Sequence, residues 1–267
     1  MNSSGLLENV SRFPDQECCL RCSNTTRPNP CPRRCNFLTP LIESLRRPLP
    51  FLTVRLVFSD EVINRFSKNE IFGDNVRYDL FRRMTRFVLT GFGSFREVVD
   101  NPSSELVVEV AIRYGENSVL CIPDIRVSVS GAADVMQNLL RLIDFSHKTI
   151  VIHFGADTSA TQLKLEQYAF NEKNFRIPDS DGEVCCGERI RVGGPAVIKT
   201  PIDTSDIEPI DSRIESSEDP GRYICNLLYY ESLYAGFKSL FIHVPPFSAI
   251  PKHEQIDLIV RILDVLK

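Results

Sequence analysis

Three short apolar runs, each ending at a turn, constrain the fold more than anything else in this chain: "RFVLTGF" (86–92), "KTIVIHFGA" (148–156) and "SLFIHVPPF" (239–247). Runs of this length without polar alternation suit strands covered on both faces. Stretches with helical spacing lie between them. Asn101 followed by Pro102 is an N-cap with proline at the first helical position, opening a helix through "SSELVVEVAIRYG" that stops at Gly115. "SVLCIPDIRVSVS" reads as a strand interrupted by Pro123, and "GAADVMQNLLRLIDF" sets Val135, Leu139, Leu142 and Ile143 on one helical face. "HEQIDLIVRILDVL" supplies the last helix. Strands alternating with helices predict an α/β fold: a single three-layer domain with a largely parallel central sheet flanked by helices. In such sheets chemistry gathers at strand ends, here "TGFGSF", "HFGADTSATQLKLEQ" and "HVPPF".

This regular pattern begins near residue 86. Residues 1–85 read as a separate Cys/Pro-rich N-terminal extension, loop-rich and poorly ordered, with a possible strand at "FLTVRLVF" and a helical turn at "DEVINRFSK". The extension holds five of the nine cysteines. Cys19, Cys22, Cys31 and Cys35 have spacings that could hold zinc, but the flanks are not those of a zinc ribbon. Disorder is the default there.

A net charge of −4, with Lys and Arg dispersed, gives no sign of a nucleic-acid partner. No apolar run approaches the roughly 18 residues that a membrane span needs. The first residues lack a basic n-region and an apolar core, so they do not read as a secretory signal. A cytoplasmic location with reduced cysteines is therefore expected, and thiol nucleophile or metal readings outrank disulfides.

Cys225 in "DPGRYICNLLYY" is one such thiol. Pro220 and Gly221 place the helix start near 220, leaving Cys225 in its early turns, where the dipole gives it limited help. Taken alone it reads more readily as a small buried apolar residue. His243 near the end of "LFIHVPPF" could be a base or a satisfied core histidine, and His153 in "VIHFG" competes with it. His147 and His253 have polar neighbours and read as surface positions. Glu166 follows a glycine turn and could orient an imidazole, although most glutamates are merely solvated. "GFGSF" lacks the spacing and the lysine of a phosphate loop. Its Phe92 and Phe95 could line a small pocket or simply pack.

Several of these stretches together resemble one family. "FVLTGFGSF…NPSSELV" is similar to the first strand, loop and helix of pyroglutamyl-peptidase I, a cysteine peptidase that removes N-terminal 5-oxoproline. "VIHFGADTSATQLKLEQYAFN" resembles its catalytic-glutamate segment, "EDPGRYICNLLYYESLY" its nucleophile helix and "SLFIHVPP" its histidine strand. The order agrees, and the likeness covers about residues 86–267, making that the catalytic domain. The resemblance implies Cys225 as nucleophile, His243 as base and then acid, and Glu166 orienting the imidazole. It further implies that Phe92 and Phe95 flank the pyroglutamyl ring, with Asn101 beside them. No metal or organic cofactor follows from it, and the expected partners are pyroglutamyl peptides; the oligomeric state stays open. "GADTSAT" lacks the glycine pair common in bacterial members, and Pro220 stands where a small residue is usual, an exchange expected only to fix the helix start. The altered turn keeps a second reading in play: a non-catalytic homologue that binds N-terminally blocked peptides.

Overall fold

The computed structural model describes residues 86–96, 101–114, 119–143 and 148–267, which belong to one compact unit. The expectations for residues 1–85, including the possible zinc cysteines, and for His147 lie outside the described residues. In chain order the elements are β1 (Phe87–Phe92), α1 (Pro102–Tyr114), β2 (Val119–Ile125), α2 (Val129–Leu142), β3 (Ile150–Ala156), β4 (Leu163–Glu166) and β5 (Tyr168–Phe170). Then follow β6 (Val197–Lys199), β7 (Ile214–Ser217), α3 (Ile224–Tyr234), β8 (Lys238–Val244) and α4 (Lys252–Val265).

The main sheet has the order β2-β1-β3-β8-β4-β7, and β5 pairs with β6 as a separate ribbon. From β2 to β8 every pairing is parallel; β4 runs antiparallel to β8 and parallel to β7. Alternation along the strands sorts the residues onto two faces. Phe87, Leu89, Ile150, Ile152, Phe154, Leu163, Leu165, Leu240, Ile242 and Val244 join Leu106, Val107 and Val110 of α1 and Leu258, Ile259 and Ile262 of α4 in one core. Burying each such side chain stabilises the fold by about 1.5–3 kcal/mol. The opposite face carries Thr90, Phe92, His153, Gly155, Lys164, Glu166, Phe241 and His243, and there α3 is the cover. One face is thus wholly apolar, while the other mixes aromatic and titratable groups.

The helix starts follow local chemistry. Asn101 caps α1 as expected, its Oδ1 accepting from the Ser103 N–H at 3.1 Å. α2 begins two residues before the expected Gly131, because Ser128 takes the cap and accepts from the Gly131 N–H at 3.1 Å. Pro123 does not interrupt β2. The strand continues through a bulge in which Asp124 adopts a φ of 57° and the register with β1 shifts between Thr90 and Phe92. β2 lies at the sheet edge, where a missing proline N–H removes no inner ladder bond.

Candidate active site

At the C-terminal edge of the parallel strands the titratable face forms a row. Phe92 ends β1 one residue past the Gly91–Phe154 pair, Gly155 is in register with His243, and Lys164 stands opposite His243 from β4. One row deeper lie Thr90, His153, Phe241 and Glu166, again in register. The antiparallel placement of β4 is what brings a carboxylate beside a histidine of β8.

Glu166 Oε1 lies 2.7 Å from His243 Nδ1, with Glu166 only 1% exposed. That contact leaves Nε2 of the ring for Cys225, with which His243 also shares a side-chain hydrogen bond. Burial by itself would depress the imidazole's pKa, but the hydrogen bonds and charges of Cys225 and Glu166 outweigh it and push it up to about 10. Glu166 is fixed from behind, its backbone carbonyl accepting from Tyr229 Oη at 2.8 Å.

Cys225 sits closer to the helix start than its flanking sequence suggests. α3 begins at Ile224 after a Tyr223 cap, so Cys225 is the second helical residue. Pro220 does not fix the start: Gly221 follows it with a φ of 76°, a left-handed conformation that delays the helix. The first bond back to the cap is Leu227 N–H to Tyr223 C=O, at 3.1 Å. Ahead of it lie the N–H groups that a helix leaves without an internal acceptor, and they favour negative charge nearby. Gly155 makes room for the thiol. A Cβ there would lie 3.0 Å from Cys225 Sγ and 2.8 Å from Phe241 Cζ. Next to the thiol, the fully buried Asn226 accepts from the Phe170 N–H at 2.8 Å and donates to the carbonyls of Phe170 and Glu172 at 2.9 and 3.0 Å.

The remaining expected residues separate by role. Phe92 is buried at the end of β1, whereas Phe95 is half-buried with its ring 5.9 Å from that of Tyr223. Tyr223 in turn packs on Phe175 at 5.0 Å and donates from its hydroxyl to Pro178 C=O at 3.2 Å. Asn101 holds the turn that carries Phe95: its Nδ2 donates to Gly93 C=O at 2.9 Å while Oδ1 accepts from Ser103 N–H and Oγ. His153 is fully buried mid-strand, with Nδ1 2.8 Å from Thr90 Oγ1, and its surroundings hold it neutral by lowering its pKa to about 3. His243, not His153, meets the carboxylate. Sequence reasoning missed Tyr223, Phe175, Tyr229, Asn226 and Gly155; "YIC" and "CN" marked Tyr223 and Asn226 only as neighbours of the thiol, and Gly155 showed only as a turn glycine.

The departing turn is organised by its own residues. Asp157 Oδ1 accepts from Ser159 N–H at 3.0 Å and Ser159 Oγ at 2.6 Å, and Oδ2 accepts from Lys164 Nζ at 2.9 Å. Partial burial works against ionisation, but these bonds prevail and lower the Asp157 pKa to about 2. Among the described residues no group of His, Cys, Asp and Glu is arranged to hold a metal ion, and no helix is long and apolar enough to cross a membrane.

A thiol at a helix N-terminus, an imidazole between it and a carboxylate, and an aromatic wall form an arrangement suited to acyl transfer. The pyroglutamyl-peptidase 1 of Rattus norvegicus is 33% identical over 172 residues, covering 60% of this chain and 78% of that protein. The pyroglutamyl-peptidase 1 of Homo sapiens is 30% identical over 198 residues, covering 67% and 90%. Among solved structures, pyroglutamyl peptidase I from Bacillus amyloliquefaciens has a TM-score of 0.56 at 26% identity, covering 68% of this chain and 94% of that one. The pyrrolidone carboxyl peptidase of Fervidobacterium islandicum shares the fold with a TM-score of 0.60 at 24% identity, covering 68% and 98%. Since residues 85–260 also match the family description "Pyroglutamyl peptidase", the chain belongs to the pyroglutamyl peptidase family.

Proposed function

We propose that this protein is a cysteine peptidase that hydrolyses the bond following an N-terminal pyroglutamyl residue, with Cys225, His243 and Glu166 as its catalytic residues. The observation carrying this reading is the 2.7 Å contact between His243 Nδ1 and Glu166 Oε1, on an imidazole that also bonds Cys225. The Cys225 sulfur adds to the pyroglutamyl carbonyl carbon, forming a C–S bond and a tetrahedral oxyanion. N–H groups at the start of α3, that of Cys225 among them, lack an acceptor within the helix and can donate to this oxygen. The His243 imidazolium then gives its Nε2 proton to the departing amine as the C–N bond breaks, leaving a thioester. Water attacks the thioester while His243 takes its proton, the C–S bond breaks, and free pyroglutamate leaves with the thiol restored. Glu166 holds the ring orientation through both halves.

Phe92 and Phe95 flank the lactam in this reading, and Asn101 holds their turn. A lactam carries no ammonium, so it enters an apolar slot that a charged N-terminus would pay several kcal/mol to enter. The test is release of a coumarin from a pyroglutamyl amide, with the prolyl amide as control. Wild type should cleave only the former, and Cys225→Ala should lose on the order of a thousandfold or more in kcat/KM. Failure of the wild type to cleave either would overturn the peptidase reading in favour of a binding homologue.

A further inference from the structure

The sheet face that presents His243 continues beyond it. Lys164 stands opposite His243 in the antiparallel pair, and Gly155 lies on the other side in the parallel one. Residues directly opposed in an antiparallel pair share a face with Cβ atoms about 5 Å apart. Lys164 is therefore the next side chain along from the imidazole, on the side away from Phe92. No step of the reaction above uses it.

Its ammonium is held in place. Asp157 Oδ2 accepts from Lys164 Nζ at 2.9 Å, with only 28% of the lysine side chain and 26% of the aspartate side chain exposed. Ser159 occupies the other Asp157 oxygen through N–H and Oγ. Both carboxylate oxygens are thus engaged, while an ammonium has three N–H donors and Asp157 takes one. What the lysine still offers a ligand is N–H donor capacity on its charged end.

The direction of the departing group follows from the same row. Cys225 Sγ lies against Gly155 of β3, the strand that separates β1, which ends at Phe92, from β8, which carries His243. With the lactam ring at Phe92 and Phe95, the scissile nitrogen points the other way, over the imidazole that protonates it. The next atoms of the leaving residue then pass over Lys164. We propose that Lys164, oriented by Asp157, binds a carboxylate on the leaving side of the scissile bond. That carboxylate is either the free α-carboxylate of a pyroglutamyl dipeptide or an acidic side chain in the residue after pyroglutamate. This inference rests on the pyroglutamyl-peptidase reading and adds to it a class of preferred substrate. Glu215, in register with Lys164 from β7, and Glu166, two residues along β4, contribute opposing negative charges and keep the preference modest.

The experiment compares kcat/KM for pyroglutamyl-alanine, pyroglutamyl-alanine amide and pyroglutamyl-glutamate amide, using wild type, Lys164→Gln and Lys164→Arg. In the wild type at least one acidic substrate should exceed the neutral amide by roughly five- to tenfold. Whether the first or the third substrate is favoured identifies the source of the carboxylate. Lys164→Gln should bring that ratio close to one, and Lys164→Arg should largely restore it. A wild-type ratio near one, or a ratio unchanged in Lys164→Gln, overturns the proposal while leaving the peptidase reading intact. Absence of wild-type turnover on all three substrates overturns both.

Discussion

His153 and His243 face the same side of the sheet one row apart, yet their surroundings drive their protons in opposite directions. Both start from 6.5 in the unfolded chain. Folded His153 takes no proton until about pH 3. Its contribution to stability is therefore complete above 6.5 and drains as pH falls, by about 1.4 kcal/mol per pH unit. His243, raised to about 10, contributes fully below 6.5 and loses that contribution as pH rises through 10. Denaturant unfolding at about pH 5, 7 and 9 checks both: His153→Gln should flatten the acid limb, and His243→Gln the alkaline one. A second residue-level prediction concerns Gly155. Its Cβ would press on the ring of fully buried Phe241 and on Cys225 Sγ, so Gly155→Ala should cost about 1–3 kcal/mol and slow turnover at least about tenfold. Unfolding and steady-state kinetics measure the two parts. Cys225, His243 and Glu166 were candidates by their places at strand and helix ends, and only the family resemblance singled them out; the fold brings the three side chains together. Gly155 was readable only as a turn glycine, since its neighbours Phe241 and Cys225 are brought to it by the fold.

At the scale of elements, α3 shows where local reading stops. Its apolar stretch "ICNLLYY" announces a buried helix, and the proline and glycine before it suggest a start too early. The start depends on Gly221 taking a left-handed turn, which composition permits but does not dictate. Asn226 is readable as a polar residue in an apolar helix, but its partners Phe170 and Glu172 lie 56 and 54 residues away. Through them it fastens β5 to the helix turn that carries the thiol. Asn226→Ala would leave three half-buried backbone groups without that amide and should destabilise the protein by about 1–3 kcal/mol. The same variant should slow iodoacetamide labelling of Cys225, because the thiol's setting loosens with the helix start. Thermal unfolding and labelling followed by mass spectrometry report these effects separately.

For the whole molecule, the division of the chain is itself testable. We propose residues 86–267 as the catalytic domain, since the family match runs over residues 85–260 and every site residue falls within it. A chain lacking residues 1–80 should keep its circular dichroism spectrum and a kcat/KM within about twofold of the full chain. An insoluble or inactive product would show that the extension packs on the domain. The α/β class was readable from the alternation of strands and helices, but the strand order was not, because pairing depends on which edges meet in space. That order has a consequence for synthesis. β8 is made after every other strand of this sheet, yet it occupies the middle, joining the β2-β1-β3 half to the β4-β7 half. It also carries His243. While that segment is still inside the ribosome, the emerging chain holds its thiol and carboxylate without the imidazole that links them. On the proposed assignment a nascent copy is thus an unarmed one, and Cys225, His243 and Glu166 meet only as the two halves of the sheet are joined.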